Sequence, residues 1–397
     1  MNIQATAGRE LPRVAFVSNF VAHYRLKMFE ALASMCDLRC YLYSDGGEWY
    51  WQRAHGVVRS TAFQCEYLPG FWLGRVRVVP SLIRALLSDR RNEVFIKCIN
   101  DKFALPVTWL AARCTGRPFI LWTGVWVRLE TRLHKMLWPV TRRLYLNSDA
   151  IVAYGEHVRR YLLSEGVEER RIFLAPQAVD NDIYRGPVRV ADVEATRARL
   201  NIPAGAKVVL FLGRLERVKG IEVLLDAFAR LREDGAVLVI CGIGSLESAL
   251  RARAEALGIA SVVRFAGYVT PADAVNYYDL AWTIVLPSIT VPAGRETWGL
   301  VANEAFNRRV PMIATGSVGA VAGGLVAHGR NGLVVPERDP DALAAALRRM
   351  IAEPGLRDRM GEAAYQDVAA WTQERMAQGF RDAIGFVLQD SHNQENR

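Results

Sequence analysis

The stretch KVVLFLGRLERVKGIEVLLDAFARLRE, residues 207–233, contains one strand, one loop and one helix in succession. It opens with a short apolar run that ends at Gly213, as a buried parallel strand does. From Ile221 the apolar residues recur at helical spacing, which predicts a helix as far as residue 233. A buried strand followed by an amphipathic helix is the repeating unit of doubly wound α/β domains.

The same alternation continues through the second half of the chain. Further strands are predicted at AVLVICG (236–242), VVRFAG (262–267), WTIVLPS (282–288), PMIAT (311–315) and GLVVP (332–336). Ligands of such domains bind at the carboxyl ends of the parallel strands. The candidate binding loops therefore begin at Gly213, Gly242, Gly267, Ser288 and Thr315.

The first half shows the same alternation of strands and helices. Its predicted strands are RVAFVSNF (13–20), LRCYLYS (38–44), EVFIKCI (93–99), FILWTG (119–124) and AIVAYG (150–155), and its predicted helices are 25–34, 80–90 and 157–166. A chain of 397 residues is too long for one core, and a bridge rich in Pro, Asp and Asn lies at 175–187. We expect one domain at 1–187, a second at 188–370, and a C-terminal segment at 371–397.

Composition limits the classes of protein. With 51% hydrophobic and 23% charged residues, the chain is ordinary globular material, apart from polar ends at 1–10 and 391–397 that we expect to be loose. The absence of a signal-peptide pattern and of a membrane-length apolar run predicts a cytoplasmic protein. The six cysteines form no CxxC pairs, so we expect reduced, buried thiols rather than zinc ligands or disulfides.

The net charge of +9 is confined to the first half. Residues 1–185 carry 26 Lys and Arg against 17 Asp and Glu, whereas residues 186–397 carry 24 of each. A basic half suits nucleic acid, an anionic membrane face or a phosphorylated substrate, and composition does not choose among them.

The segment WTGVWVRLETRLHKMLWPVTRRLYL (122–146) is the strongest local pattern in that half. Its apolar residues fall at helical spacing, and arginines and a lysine surround them. The pattern is typical of a surface helix on an anionic bilayer, with indoles at headgroup depth. The alternative is a core-packing amphipathic helix with solvated arginines.

Two glutamates bracket the segment RETWGLVANEAFNRRVP (295–311). Glu296 precedes a predicted helix, and Glu304 lies about one turn inside it. Backbone N–H groups at a helix start favour an anion such as a diphosphate, and Gly299 allows it to approach closely. The two carboxylates would then suit sugar hydroxyls. The alternative is an ordinary helix with one N-terminal acid and one surface acid.

Two other loops carry candidate chemistry. Arg214 and Lys219 follow a strand end, where two cations can hold a diphosphate and stabilise its charge as it leaves, although such pairs are often merely solvated. The run from Cys241 to Gly244 resembles part of a dinucleotide fingerprint but has no third glycine and no acidic partner. We interpret it as a place where two backbones approach closely.

The ordered set FLGRLERVKG, ICGIGSLESAL, VRFAGYV, VLPS, the E-x7-E spacing from Glu296 to Glu304, PMIAT and HGRNGLVVPERDPDALAAAL resembles the second domain of retaining glycosyltransferases of family 4. FVSNFVAHYRLKMFEAL (16–32) resembles the start of members active on bacterial surface polysaccharides. The resemblance implies the α/β GT-B fold, in which two doubly wound Rossmann-like domains face each other across a cleft and the last helix crosses back to the first domain.

The resemblance also implies roles for individual residues. Arg214 and Lys219 would bind the diphosphate of a nucleotide-sugar, Glu304 the ribose and Glu296 the donor sugar. The backbone around Gly299, Leu300 and Val301 would meet the distal phosphate and sugar, and Gly242 would also belong to the donor-binding residues. The loop from Gly267 to Val269 would lie against the base. Neither a metal nor another cofactor is implied, because cations and backbone N–H groups serve as the electrophile.

Some positions depart from the family pattern. Asn19 to His23 replace a Gly-rich first loop, and a histidine expected after FILWTG is missing, with Trp126 or Arg128 near its place. The loop TVPAG (290–294) before Glu296 looks like an insertion. We take His23, Tyr24, Arg25, Trp126 and Arg128 as candidates for the acceptor side.

The resulting prediction is a hexosyltransferase that moves a sugar to a glycan or polyprenyl-diphosphate-linked acceptor, in bacterial surface polysaccharide biosynthesis, at the inner face of the cytoplasmic membrane. Its basic first domain would bind the acceptor. A nucleotide-sugar epimerase of the same fold and a non-catalytic subunit of a polysaccharide assembly remain alternatives. No nucleic-acid motif is present to support a nucleic-acid partner.

Overall fold

The computed structural model describes residues 11–44, 60–74, 76–231 and 235–395, with side chains as far as residue 390. The prediction that residues 1–10 are loose lies outside this range, as does the predicted end of the helix at residues 232 and 233. The prediction of a loose tail from residue 391 is wrong as far as Glu395, because the last helix continues to that residue.

The chain divides into two compact units. The first comprises the described residues of Met1–Gly124, Leu137–Pro176 and Gln373–Arg397, and the second those of Val125–Met136 and Gln177–Thr372. The chain passes from the first unit to the second at Pro176, inside the Pro/Asp/Asn-rich bridge. The last helix belongs to the first unit, whereas the segment Val125–Met136 belongs to the second.

The first unit contains a parallel sheet and a separate hairpin. Its strands are β1 Arg13–Ser18, β2 Asp37–Leu42, β3 Gln64–Tyr67, β4 Phe71–Leu73, β5 Val76–Val78, β6 Val94–Cys98, β7 Phe119–Thr123, β8 Ala150–Ala153 and β9 Ile172–Leu174. Seven of them form a sheet of order β3-β2-β1-β6-β7-β8-β9, in which every pairing is parallel. The antiparallel pair β4–β5 forms the hairpin.

The second unit contains a six-stranded parallel sheet of order β12-β11-β10-β13-β14-β15. Its strands are β10 Lys207–Leu212, β11 Ala236–Cys241, β12 Val263–Gly267, β13 Ala281–Leu286, β14 Met312–Thr315 and β15 Gly332–Val335. Every strand predicted in this half is present. Residues of β10, β11 and β13 are almost all buried, because helices cover both faces of a parallel sheet.

Helices connect most of the strands. They are α1 Leu26–Ala33, α2 Pro80–Ser88, α3 Ala104–Thr115, α4 Arg132–Asn147, α5 Glu156–Ser164, α6 Asn181–Arg185, α7 Val190–Arg199, α8 Ile221–Leu231, α9 Glu247–Ala256, α10 Pro271–Leu280, α11 Val301–Asn307, α12 Gly319–Ala322, α13 Pro340–Ala352, α14 Leu356–Val368 and α15 Gln373–Glu395. The last helix packs on α1, β8 and β9, and buries Met376 and Phe380 in the core of the first unit.

The amphipathic segment at 122–146 is helical over only part of its length. Helix α4 begins at Arg132, so Trp126 and Leu129 lie in the preceding loop. The core-packing alternative is wrong for α4, since Tyr145 is its one buried residue. Leu133, Met136, Leu137 and Val140, which share one helical face, are all exposed.

The cysteines are free thiols, and all six lie in the described part of the chain. Cys36, Cys40 and Cys241 are buried, as expected. The expectation is wrong for Cys114, which is exposed near the end of α3, and only partly met by Cys65 and Cys98, which are half-buried.

Candidate functional site

An ion pair between Lys219 and Glu296 lies at the carboxyl edge of the second sheet. Lys219 closes a short 3-10 turn after β10, and Glu296 lies in the loop after β13. Lys219 Nζ donates to Glu296 Oε2, and each side chain is only 13% exposed. Partial burial strengthens the attraction between these charges and makes either of them costly to leave alone.

Gly220 allows the two loops to meet. Its φ of +63° is a conformation that residues with a side chain rarely adopt, and a Cβ atom there would overlap the carbonyl oxygen of Pro287. The contact is extended by a hydrogen bond of 2.8 Å from Ile289 N to Val218 O. Lys219 is thereby fixed beside the loop that carries Glu296.

The glycines after β11 also serve close backbone contact, which confirms the interpretation of the segment from Cys241 to Gly244. A Cβ atom on Gly242, whose φ is +135°, would overlap the carbonyl oxygen of Gly213. One on Gly244 would overlap that of Leu215. Gly242 N also donates to Gly267 O at 2.7 Å, which joins three strand-end loops through backbone atoms.

The backbone of Glu296 is held from two sides. Its carbonyl oxygen accepts hydrogen bonds of 3.1 Å from Trp126 Nε1 and from Gly319 N. The neighbouring Arg295 places its guanidinium 4.9 Å from the centre of the Trp126 ring. Trp126, a candidate for the acceptor side, therefore lies with the second unit and contacts the Glu296 loop. Arg128 lies in the same segment.

The loop TVPAG, which precedes Glu296, is anchored at its first residue and at its centre. Thr290 donates through N and Oγ1 to Glu337, which also accepts from Ser317 Oγ at 2.8 Å. Partial burial opposes ionisation of Glu337, but the hydrogen bonds from Thr290 and Ser317 outweigh it and lower the pKa of that carboxyl. At the centre of the loop, Pro292 O accepts from Glu130 N at 2.7 Å.

Glu304 occupies a different environment from Glu296. It lies in α11 and is largely enclosed, with part of its surface exposed. Tyr278 Oη donates to Glu304 Oε2 at 2.5 Å, and Tyr184 forms a second hydrogen bond to the carboxyl group. Burial raises the pKa of Glu304, although the two tyrosines act in the opposite direction.

Arg214 is more exposed than Lys219. Its Nη1 lies 3.0 Å from Glu216 Oε1, and its side chain is 49% exposed. The structure therefore pairs Lys219, in the loop after β10, with Glu296, in the loop after β13. It pairs Arg214 with Glu216 within the loop after β10.

Between the two glutamates, the chain turns sharply into α11. Gly299 has a φ of +90°, and a Cβ atom there would lie 2.6 Å from Leu286 Cδ2. Leu300 is the N-cap residue and has no side-chain cap, and Val301 is the first residue of the helix. The backbone N–H groups expected to meet a phosphate thus lie at the start of a helix of seven residues.

The loop predicted to meet a base borders a cavity of about 300 Å³. Gly267 closes β12 with a φ of +70°, and Tyr268 and Val269 line the cavity together with Arg199 and Tyr277. Arg199 Nη2 donates to Tyr277 Oη. An aromatic ring and a guanidinium at one cavity suit a planar, polar ligand.

The remaining acceptor-side candidates lie in the first unit, in the 3-10 turn His23–Arg25 after β1. The guanidinium of Arg25 lies 4.3 Å from the centre of the Trp122 ring, and its Nη2 donates to Tyr154 Oη at 3.3 Å. The backbone of Tyr24 accepts a hydrogen bond from Gln373 Nε2.

Sequence reasoning missed several residues that hold the site. Tyr184 and Tyr278, which bind Glu304, lie 120 and 26 positions before it, and Glu337 lies 47 positions after Thr290. Long-range side-chain pairs of this kind leave no local signal in a single sequence.

Two kinds of feature are missing from the described part of the chain. Within it, no group of three His, Cys, Asp or Glu side chains is arranged to hold a metal ion. None of its helices is both long and apolar enough to cross a membrane.

Known proteins resemble this chain in sequence and in fold. The family model of glycosyl transferases group 1 matches residues 192–367. A D-inositol 3-phosphate glycosyltransferase of Corynebacterium urealyticum is 37% identical over 244 residues, which is 59% of this chain and 54% of that protein. The protein of the same name from Thermobifida fusca is 30% identical over 299 residues, 70% of this chain and 67% of that protein.

Solved structures show the fold. Anabaena HepE in complex with UDP and glucose gives a TM-score of 0.72 at 18% identity, with 97% of this chain and 100% of that chain covered. Sucrose-phosphate synthase from Thermosynechococcus elongatus gives 0.74 at 21% identity, covering 94% and 97%. The chain spans about half the length of the first curated relatives that it matches. It belongs to the glycosyl transferases group 1 family and has the GT-B fold.

Proposed function

We propose that this protein is a glycosyltransferase of the hexosyltransferase type, which moves a sugar from a nucleotide-diphosphate-sugar to a glycan or lipid-linked glycan. The observation that carries the proposal is the partly buried Lys219–Glu296 pair at the carboxyl edge of the second sheet. It combines a cation for a diphosphate with a carboxylate for sugar hydroxyls, in the half of the chain that matches the family model.

The ion pair can be exchanged for bonds to the donor. A diphosphate oxygen would accept from Lys219 Nζ, and a sugar hydroxyl would donate to Glu296. Each charge then keeps a charge-assisted hydrogen bond in a partly desolvated place. Arg214, which is half-exposed, would reach the diphosphate from the solvent side.

The rest of the donor would follow the same edge. Glu304 would accept from the ribose hydroxyls, and the backbone N–H groups of Gly299, Leu300 and Val301 would meet the distal phosphate. The base would lie against Gly267 and Val269, beside the cavity bordered by Tyr268. Gly242 would act through the close packing of the neighbouring loops.

Transfer would proceed with retention of anomeric configuration. Lys219 and Arg214 would stabilise the charge that develops on the departing diphosphate, and that phosphate would take the proton of the attacking hydroxyl. Glu296 would hold the sugar through its hydroxyl groups rather than attack the anomeric carbon.

We assign the acceptor to the first unit, at His23, Tyr24 and Arg25. Arg25 is held by Trp122 and Tyr154, and an ordered guanidinium beside aromatic rings suits an anionic or glycosylated acceptor. Polyprenyl-diphosphate-linked glycans of bacterial surface polysaccharides fit this chemistry. The curated relatives are named for an inositol phosphate, which is a second acceptor to test.

To use a lipid-linked acceptor, the protein would attach to the inner face of the cytoplasmic membrane. The charges and the exposed apolar face of α4 support such attachment. The helix carries Arg132, Lys135, Arg142 and Arg143 and contains no acidic residue. It exposes the apolar face of Leu133, Met136, Leu137 and Val140. Basic side chains around an exposed apolar face are the pattern of a helix that lies in a membrane interface.

The proposal is tested by incubating the protein with UDP-, GDP-, ADP- and TDP-linked sugars, each with and without a lipid-linked acceptor or inositol phosphate. Release of nucleotide that depends on acceptor, with a glycosylated product of retained configuration, is the expected result. Isomerisation of the sugar would indicate an epimerase. Failure to bind or consume any donor would support a non-catalytic subunit and overturn the proposal.

A further inference from the structure

The hairpin β4–β5 exposes three consecutive large apolar residues. Phe71, Trp72 and Leu73 are 55%, 56% and 68% exposed. The hairpin pairs with no other strand among the described residues. Large contiguous apolar surface of this kind on a globular domain marks a place where something binds.

The base of the hairpin is held firmly while its apolar strand stays exposed. A Cβ atom on Gly70 would lie 2.7 Å from Val78 O, so the two strands meet closely there. Arg77 is buried, donates through Nε to Tyr43 O at 2.6 Å, and places its guanidinium 5.7 Å from the centre of the Trp72 ring. The hairpin that exposes Phe71, Trp72 and Leu73 is therefore held in place by the contacts of Gly70 and Arg77.

The hairpin leads directly into α2, which continues the pattern. Ile83 and Leu87 lie one turn apart on the exposed side of α2 and are 43% and 42% exposed. Arg84 between them is also exposed. Residues 67–91 contain five arginines, of which Arg84, Arg90 and Arg91 are exposed and Arg77 is buried. The stretch has one acidic residue, Asp89, which is held by Arg13, Arg39 and Arg91. The exposed apolar residues thus lie in a strongly basic stretch.

We propose that the hairpin β4–β5 and the exposed face of α2 form a second membrane-binding surface, in which Phe71, Trp72 and Leu73 enter the interfacial layer of an anionic bilayer. The inference rests on the membrane attachment proposed for this protein, but on different residues from those of α4. Indole and phenyl rings favour the depth of the headgroups, where arginines beside them can reach lipid phosphates.

The charge of the surface favours a bilayer over a protein partner. A surface whose excess charge is positive and whose projecting residues are Phe, Trp and Leu matches a sheet of anionic headgroups above hydrocarbon. Such binding has two separable parts. Its electrostatic part weakens with salt, whereas its apolar part, which the hairpin supplies, persists.

The test measures co-sedimentation of the full chain with vesicles rich in phosphatidylglycerol, at low and high salt. The combined variant Phe71→Ser, Trp72→Ser and Leu73→Ser should lower the partition coefficient about tenfold at both salt concentrations, because it removes apolar surface and no charge. The matched control is Ile183→Ser with Val190→Ser, which changes two exposed apolar residues of the second unit and should leave partition unchanged.

A fluorescence measurement on the wild-type protein tests the proposal even if the triple variant does not fold. Brominated lipids should quench part of the tryptophan fluorescence of the wild-type protein, and that part should be missing in Trp72→Phe. Equal vesicle binding by the folded triple variant, or unquenched Trp72, would overturn the inference. So would light scattering that shows a wild-type dimer and a monomeric triple variant, since the hairpin would then bind a second copy. Transfer to a water-soluble acceptor should be unaffected, so failure of the proposed activity would appear separately.

Discussion

Lys219 and Glu296, which lie 77 positions apart in the sequence, form an ion pair in which both side chains are largely buried. Removal of either partner leaves the other charge partly desolvated and unpaired. We expect Lys219→Ala and Glu296→Ala each to lower the free energy of unfolding by about 1–3 kcal/mol. The double variant Lys219→Ala with Glu296→Ala should lose less than the sum of the single changes, as measured by urea unfolding.

The same two variants should differ in catalysis. Lys219→Ala should weaken donor binding, because the diphosphate loses a cation. Glu296→Ala should chiefly lower kcat, because the carboxylate holds the sugar during transfer. Calorimetric titration with the donor, followed by steady-state kinetics, separates the two effects. Full activity of Glu296→Ala would show that the site has been assigned wrongly.

Glu304→Gln should separate stability from binding. Burial raises the pKa of Glu304 above that of an exposed carboxyl, so the folded chain keeps this proton to a higher pH than the unfolded chain. Its contribution to stability is therefore present below the unfolded pKa and is lost as the pH rises through the folded pKa. The glutamine variant should lack this pH-dependent loss, yet bind nucleotide about tenfold more weakly.

Tyr278→Phe tests the role of the Glu304 carboxyl group by changing the tyrosine that donates a hydrogen bond to it. It removes the 2.5 Å hydrogen bond to Glu304 and should also weaken nucleotide binding. Tyr145→Phe, another fully buried tyrosine but in the first unit, is its control and should leave nucleotide affinity unchanged. Equal affinity in the Tyr278 and Tyr145 variants would argue against a role for Glu304 in binding ribose.

Trp126→Phe should reduce turnover while leaving donor affinity nearly unchanged. The change removes the hydrogen bond that holds the carbonyl group of Glu296, and a loss of about 1 kcal/mol in positioning corresponds to a roughly fivefold lower kcat. Trp282→Phe is the matched control, since Trp282 Nε1 also donates to a backbone oxygen, that of Met350, at 2.9 Å. Trp282 is the second residue of β13, at the opposite end of the strand from the Glu296 loop. Loss of its hydrogen bond should affect stability alone.

Gly220→Ala should destabilise the protein far more than Gly205→Ala. Both glycines have positive φ, +63° and +76°, so both variants incur a conformational cost of about 1 kcal/mol. A Cβ atom on Gly205 meets nothing within 4 Å, whereas one on Gly220 overlaps Pro287 O. We expect at least about 2 kcal/mol more for Gly220→Ala in thermal or urea unfolding, together with weaker donor binding. Similar losses in the two variants would contradict the close approach of the loops.

Lys97 provides a test of stability against pH in the first unit. Its side chain is fully buried, and its Nζ donates to Asn100 Oδ1 at 2.8 Å and to two backbone oxygens. Burial lowers the pKa of Lys97 to about 8. Because the folded chain releases this proton earlier than the unfolded chain, stability should rise from about pH 8 to the unfolded pKa of 10.5. Lys97→Met should flatten that rise by about 1–3 kcal/mol in urea unfolding; an unchanged slope would show that Lys97 is not its source.

The sequence predicted much of the secondary structure. Strong apolar runs located β1, β2, β6, β7, β8 and all six strands of the second sheet. It did not locate β3, β4, β5 or β9, which are only three or four residues long. The residues of β3 and β4 are mostly exposed, so they lack the buried pattern on which such prediction depends.

Backbone packing beside the candidate site was predictable where its signal in the sequence is local. The close backbone approach at Gly242 followed from the spacing of two glycines. The surroundings of Glu304 did not follow from spacing, because Tyr184 reaches it from another helix, α6. Trp126 was taken for the acceptor side by its place in the chain, whereas the fold brings its indole to the backbone of Glu296.

The sequence by itself determined the alternation of strands and helices, and therefore which loops share a sheet edge, since burial of apolar residues has a local period. The tertiary structure alone decided which charges meet. Lys219 faces Glu296 and Glu304 faces two tyrosines because strands distant in sequence are neighbours in the sheet, and that neighbourhood depends on the packing of the whole core. It also decided that the apolar faces of α4 and of the hairpin β4–β5 remain exposed, which the amphipathic pattern of the sequence left open.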